Sequence, residues 1–75
     1  MTALYIEWVD AKTWGSAYYG SEEIKELKLP IMRSRGEVVI ETPIALFLAQ
    51  TIGDGEWHNI IGIPKGSILK RKRIP

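Results

Sequence analysis

The sequence contains no cysteine, and its 75 residues include a single histidine, His58. Disulfide bonds are therefore excluded, and the common zinc sites, which take three or four Cys and His ligands, are close to excluded. A domain of this size rarely gains more than about 3–5 kcal/mol from its core without disulfides, a metal or a partner subunit. We therefore expect no cofactor, and we predict that the protein is a homo-oligomer.

The chain also lacks a long apolar run. Its longest uncharged stretch, residues 42–53, has 12 residues, whereas a membrane-spanning helix needs about 20. Glu7 and Asp10 interrupt the region where a signal peptide would need an unbroken apolar segment. With 45% hydrophobic and 25% charged residues, the composition is typical of one folded domain over residues 1–75. We expect a cytoplasmic protein that does not associate with membranes.

Groups suited to catalysis are scarce. A nucleophilic triad needs Ser, Cys or Thr beside a base that is itself oriented, and His58 simply follows Trp57 after a turn signal. Glu22 and Glu23 are adjacent, so on a helix they point to different faces, and they suit the positive end of a helix dipole. The sequence therefore predicts a protein that is not an enzyme and has no catalytic residues.

Period-two patterns of apolar residues predict a mainly β fold. Leu4, Ile6 and Trp8 alternate with other residues and give the first strand one strongly apolar face. Ser21 and the two acids after it predict the start of a short helix, which ends before Pro30. The predicted strands cover residues 3–10, 31–41, 44–51, 57–63 and 67–74, with a bend at Gly36 and a hairpin turn at 53–56.

Five strands and one short helix after the first strand fit a small closed sheet. Closure removes exposed edges, which a short chain otherwise has to protect. We therefore predict an SH3-like or Sm-like five-stranded barrel. The alternative is an open five-stranded sheet packed on the helix, whose apolar edge would be Ile24 and Leu27.

Charge is distributed unevenly along the chain. The net charge of the whole is only +1. Residues 1–30 contain three lysines and five acids, a net charge of −2, whereas residues 31–75 contain seven cations and four acids, a net charge of +3. Because local charge decides whether a phosphate is attracted, the second part of the chain is the candidate region for binding anions.

Four consecutive cations, residues 70–73, stand near the end of the last predicted strand. Alternation places Lys70 and Lys72 on one face of the strand and Arg71 and Arg73 on the other. Neighbouring cations repel one another, and a polyanion or an acidic partner would relieve the repulsion. Protection of a sheet edge explains the run equally well.

Arg33 and Arg35 lie two residues apart, so a strand places them on the same face. Two guanidinium groups on one face can bind a phosphate through paired hydrogen bonds, and Gly36 allows close approach of the backbone. The alternative is that both arginines pair with Glu37 or Glu41.

Residues 11–20 form an aromatic loop that contains Trp14, Tyr18 and Tyr19. Aromatic rings offer flat surfaces on which bases stack, with a typical gain of about 1–3 kcal/mol per base. The alternative is a lid over one end of the sheet or a subunit contact, since aromatic residues are enriched at interfaces.

Two short motifs, supported by the order of the segments between them, carry a resemblance that spans nearly the whole chain. Residues 6–11 (Ile-Glu-Trp-Val-Asp-Ala) and 61–68 (Ile-Gly-Ile-Pro-Lys-Gly-Ser-Ile) resemble a group of short, mostly uncharacterised bacteriophage and prophage proteins. The resemblance implies a viral accessory protein that acts in the host cytoplasm, similar in style to counter-defence proteins that sequester nucleotide immune signals or block a host protein. Residues 33–35 and the basic end depart from the pattern of that group.

Taken together, these features predict an oligomeric binding module for a phosphate-bearing ligand, either a nucleotide signal or nucleic acid. The competing hypothesis is an inhibitor that docks on a host protein through the aromatic loop and the basic edge. The candidate ligand-binding residues are Trp14, Tyr18, Tyr19, Arg33, Arg35, Lys65, Arg71 and Arg73. No metal-binding residue is predicted.

Overall fold

The computed structural model describes residues 2–15 and 19–75. Its elements are β1 (Ala3–Val9), α1 (Ser21–Lys25), β2 (Ile31–Glu41), β3 (Ala45–Gly53), β4 (Glu56–Pro64) and β5 (Ile68–Ile74), with a single 3₁₀ turn at Lys65–Ser67. The predicted mainly β fold with one short helix after the first strand is confirmed.

The five strands form one antiparallel sheet in the order β4-β3-β2-β1-β5. β4 and β5 are the two edges and do not pair with each other within the described residues, so the predicted closed SH3-like or Sm-like barrel is wrong. Closure requires the edges to come within backbone hydrogen-bonding distance. Here the curvature brings β5 only within side-chain reach of the end of β2, where Arg71 contacts Glu41.

β2 pairs with two different strands along its length. Its first part pairs with β1 as far as Glu37, and its last residues pair with β3. At the predicted bend, a Cβ on Gly36 would lie 2.6 Å from the backbone oxygen of Ala49. The absence of a side chain at Gly36 therefore lets β3 approach closely, and the register shifts just after it, between Val38 and Ile40.

The core lies on one face of the curved sheet. The apolar face predicted for β1 is confirmed, because Leu4, Ile6 and Trp8 are all buried. They pack in one cluster with Leu46, Leu48 and Ile63 from β3 and β4. The indole nitrogen of Trp8 donates a hydrogen bond of 3.0 Å to the buried hydroxyl of Ser34, so the one polar group of the indole is satisfied.

The helix adds little to this core. α1 contributes no buried residue: Ile24 is exposed, and Leu27, just beyond α1, is half-buried. The alternative prediction of an open five-stranded sheet is therefore confirmed. Its second part, a helix packed on the sheet through Ile24, is wrong because Ile24 is exposed. No helix in the described ranges is long and apolar enough to cross a membrane.

β3 and β4 extend beyond the rest of the sheet. β2 pairs with β3 only as far as Ala49, so residues 50–59 form a two-stranded hairpin arm, and no further strand of the described residues lies beside it. The predicted turn is confirmed, with positive φ angles at Asp54 (52°) and Gly55 (73°). The molecule is accordingly elongated, with extents of 51 × 22 × 22 Å.

Candidate functional site

Strand pairing places cations on both sides of β1. Tyr5 lies opposite Arg35 on β2 and opposite Lys72 on β5. Opposite partners in antiparallel strands share a face of the sheet, so these side chains lie together on the face away from the core. Glu7, two residues along, is flanked in the same way by Arg33 and Lys70.

This face carries a groove of about 320 Å³, called here the basic groove. Its lining includes Tyr5, Glu7, Arg35, Lys70, Lys72 and Arg73, with Ile74 and Pro75 at one end. Glu7 is the single acidic side chain in this lining, against four cations. Arg33 lies beside the groove, opposite Glu7 in the sheet.

In the described part of the chain, the cations in and beside the basic groove have no acidic partner. Within residues 2–15 and 19–75, none of Arg33, Arg35, Lys70, Lys72 or Arg73 takes part in an ion pair. The alternative that the arginine pair is neutralised by Glu37 or Glu41 therefore does not apply in this structure. The positive charge of the groove is therefore not neutralised by ion pairs within the described residues.

Tyr5 and Glu7 form the floor between the cations. The Tyr5 hydroxyl donates a hydrogen bond of 2.5 Å to Glu7 Oε2, and this bond is the largest of the effects that raise the pKa of Tyr5. The guanidinium carbon of Arg35 lies 5.4 Å from the centre of the Tyr5 ring. This cation–π contact favours the position in which the Arg35 side chain lines the groove.

Two predicted site residues are engaged elsewhere. Arg71 projects to the core face, where its Nη2 lies 2.6 Å from Glu41 Oε1, and Lys65 Nζ lies 2.7 Å from Glu41 Oε2. Arg71 and, after it, Lys65 lower the pKa of Glu41 to about 2. These three residues, called here the Glu41 cluster (Glu41, Lys65 and Arg71), are paired with one another at the core face. The structure therefore does not bring Lys65 and Arg71 together with Arg33 and Arg35, which lie on the opposite face.

The aromatic loop also lies apart from the basic groove. Trp14 is half-buried, and Lys12 Nζ lies 5.1 Å from the centre of its ring. Tyr19 is exposed. Neither ring lines the groove, and Tyr18 falls outside the residues that the structure describes.

The sequence reasoning missed Tyr5, Glu7, Lys70 and Lys72 as groove residues. A signal was present, because alternation along β5 places Lys70 and Lys72 together on one face. What was missing was the pairing of β5 with β1, which places these lysines on the face of Arg33 and Arg35.

No cluster of metal-ligating side chains occurs among residues 2–15 and 19–75. No family model, curated protein or solved structure matches the chain. The geometry and charge of the basic groove are therefore the basis for a functional assignment.

Proposed function

We propose that the protein is a non-catalytic module that binds a phosphate-bearing ligand in the basic groove. The observation that carries the proposal is the set of cations around this groove that have no acidic partner in the described part of the chain. Arg35 offers a planar fork for paired hydrogen bonds to a phosphate, and the lysines offer compact point charges. Their mutual repulsion falls when an anion binds.

The arrangement of the cations indicates the kind of ligand. Arg35 and Lys72 form one row across β1, and Arg33 and Lys70 form a second row two residues further along. Two residues of a strand span about 6–7 Å, so the two rows can contact separate phosphates of one ligand. A groove of about 320 Å³ is at the lower end of the range for small-molecule sites. A nucleotide with several phosphates, or a short segment of nucleic acid, fits these dimensions.

The proposal keeps two further expectations from the sequence. Self-association remains part of it, because the described core contains only seven buried apolar side chains. The resemblance to bacteriophage proteins favours a viral accessory role, in which the module would sequester a nucleotide signal of the host defence. Stacking by Trp14 and Tyr19 is not part of the proposal, since neither ring lines the groove.

The test compares two double variants with the same change in charge. Lys70→Ala with Lys72→Ala removes two lysines from the basic groove, and Lys25→Ala with Lys28→Ala removes two exposed lysines outside it. Calorimetry would measure binding of a cyclic dinucleotide, a nucleoside triphosphate and a single-stranded oligonucleotide between 50 and 300 mM salt. We expect the groove variant to lose at least about tenfold in affinity and the control less than about twofold.

The salt series separates the two sources of phosphate. Tight binding of the small nucleotide with a large rise in Tm supports sequestration, whereas a steep loss of oligonucleotide binding with salt supports nucleic acid. Absence of binding by all three probes, or equal losses in both double variants, would contradict the proposal. The competing hypothesis, an inhibitor that docks on a host protein through the aromatic loop and the basic edge, would then remain.

A further inference from the structure

The two edges of the sheet differ in how they are protected. β5 carries four consecutive cations, which discourage pairing with another strand. β4 has no Lys, Arg, Asp or Glu after Glu56, its first residue. Of the two edges, β4 is therefore the one that charges do not protect, and its free backbone groups on either side of Asn59 (φ 55°) and before Pro64 are open to a further strand.

Large apolar side chains are also exposed on β4 and on the part of β3 that belongs to the hairpin arm. Ile60, in the middle of β4, is 52% exposed, and Trp57 is 37% exposed. Ile52 lies opposite Trp57 and is 39% exposed. A two-stranded arm of this kind is marginally stable in water, so covering these side chains by another strand would be favourable.

The charges at the two ends of β4 are complementary. Asp54 and Glu56 stand at its start, while the Glu41 cluster, with two cations and one acid, lies just after its end. When two identical strands pair antiparallel, the start of each lies beside the end of the other. The acidic turn of each copy then meets the net positive cluster of its partner, and the two-fold axis produces this contact twice.

We propose that β4 is a dimerisation edge, and that its partner is β4 of a second copy, paired antiparallel across a two-fold axis. The sheet then continues from one copy into the other. The inference rests on the proposed self-association but not on the phosphate ligand. The basic groove is formed by β2, β1 and β5, away from the β4 edge, so the dimer leaves it open.

The absence of cysteine makes a direct test available. Ile60→Cys places one thiol at the middle of β4, where two antiparallel copies of the strand come closest. Leu69→Cys places a thiol at a similarly exposed apolar position on β5, since Leu69 is 59% exposed. Under mild oxidation of each purified protein, we expect at least about fivefold more disulfide-linked dimer from Ile60→Cys than from Leu69→Cys.

Mixing the two cysteine variants tests the symmetry. Preferential linkage of Ile60→Cys to Leu69→Cys would show pairing of β4 with β5 and would overturn the proposal. Equal linkage of both variants with themselves would also overturn it, since random collision gives that result.

A second variant tests the same edge without oxidation. Ile60→Lys adds a charge to the unprotected edge, and Ile24→Lys makes the same change at a position of matching exposure on α1, 53% against 52%. In sedimentation equilibrium we expect Ile60→Lys to weaken dimerisation at least about tenfold and Ile24→Lys to leave it unchanged. A wild-type protein that stays monomeric at about 100 µM would refute the dimer, while binding of nucleotide by that monomer would leave the groove proposal standing.

Discussion

Arg71 on β5 and Glu41 on β2, 30 residues apart in the chain, are joined by two hydrogen bonds, Nη1 to Oε2 at 3.0 Å and Nη2 to Oε1 at 2.6 Å. Their neighbours across the sheet are Ile6 and Leu46, and both of these are fully buried. The ion pair therefore lies at the open side of the core, where the curved end of β2 reaches β5, the strand on the other side of β1. Side chains here provide the link that backbone pairing of edge strands provides in a closed barrel.

This pairing makes stability depend on pH in a defined window. The pKa of Glu41 is lowered from 4.5 to about 2 in the folded protein by Arg71 and, after it, by Lys65. A carboxyl whose pKa is lower when folded stabilises the protein fully above its unfolded pKa and loses that effect as pH falls through the folded value. We expect the stabilisation by Glu41 to be complete above about pH 5 and to disappear between pH 4.5 and about 2.

Urea unfolding of the wild type and of Glu41→Gln between pH 6 and pH 2 measures this effect. The wild type should unfold at higher urea than the variant near pH 6, and the two midpoints should converge near pH 2. Glu26→Gln, which changes the charge at an exposed position, corrects for net charge. A difference between wild type and Glu41→Gln that stays constant over the whole range would contradict the role given to the ion pair.

The buried hydrogen bond from Trp8 to Ser34 leads to a second prediction. Ser34→Ala removes the acceptor and leaves the indole N–H of Trp8 buried without a partner. An unsatisfied buried donor costs about 1–3 kcal/mol, so the free energy of unfolding should fall by that amount.

A double-mutant cycle isolates this hydrogen bond. Trp8→Phe removes the donor, so Ser34→Ala should cost much less in the Trp8→Phe background than in the wild type. The coupling is measured by chemical denaturation followed by circular dichroism, because Trp8→Phe alters the fluorescence. Equal costs of Ser34→Ala in both backgrounds would show that the hydrogen bond contributes nothing.

Two glycines in the sheet should differ in their tolerance of a methyl group. At Gly36 the added Cβ would lie 2.6 Å from the backbone oxygen of Ala49, which cannot move without shifting β3. At Gly62 it would lie 2.8 Å from the ring of Phe47, which is half-buried and can rotate away. We expect Gly36→Ala to lower the free energy of unfolding by about 1–3 kcal/mol and Gly62→Ala by less.

Thermal and urea unfolding of both variants test this order, with Gly66→Ala as the control. Apart from its chain neighbours, no atom of the described residues lies within 4 Å of a Cβ built on Gly66, so this variant should stay within about 0.5 kcal/mol of the wild type. If Gly62→Ala proves the more destabilising, the close approach of β3 to the bend in β2 does not limit the fold.

Local patterns in the sequence were sufficient for the strands but not for closure of the sheet. The alternation of Leu4, Ile6 and Trp8 predicts a buried face because side chains alternate along any strand. Asp54 and Gly55 predict the hairpin because both adopt a positive φ there. Closure instead depends on curvature summed over all the strands, and no local pattern contains that sum.

The candidate site shows the same limit. Arg33 and Arg35 share a face because of their spacing alone, and the structure places both on the face away from the core. Lys70 and Lys72 come to lie beside Arg33 and Arg35 only because β5 pairs with β1, and these two strands are far apart in the sequence. Arg71 was assigned to the ligand because its partner, Glu41, is 30 residues away and becomes its neighbour only after folding.

Glu7 provides a final prediction, about the sign of a change in affinity. It is the single acid in the lining of the basic groove, and its known partner is the Tyr5 hydroxyl. If the groove binds phosphate through its cations, the Glu7 carboxylate opposes binding. Glu7→Gln should therefore tighten binding of an anionic ligand by roughly 3–5-fold at low salt, the effect of one charge at a few ångströms in a high dielectric.

The gain should shrink as salt rises, because a charge in an open groove is screened. Glu7→Gln also replaces the charged acceptor of the Tyr5 hydroxyl by a neutral amide oxygen, which weakens the effects of Glu7 that raise the pKa of Tyr5, so spectrophotometric titration of the variant should detect a tyrosine that ionises at lower pH than in the wild type. Glu26→Gln, outside the groove, should change neither quantity. Weaker binding in Glu7→Gln would instead mean that the carboxylate accepts a hydrogen bond from the ligand, which would require a hydroxyl or amino group beside its phosphate.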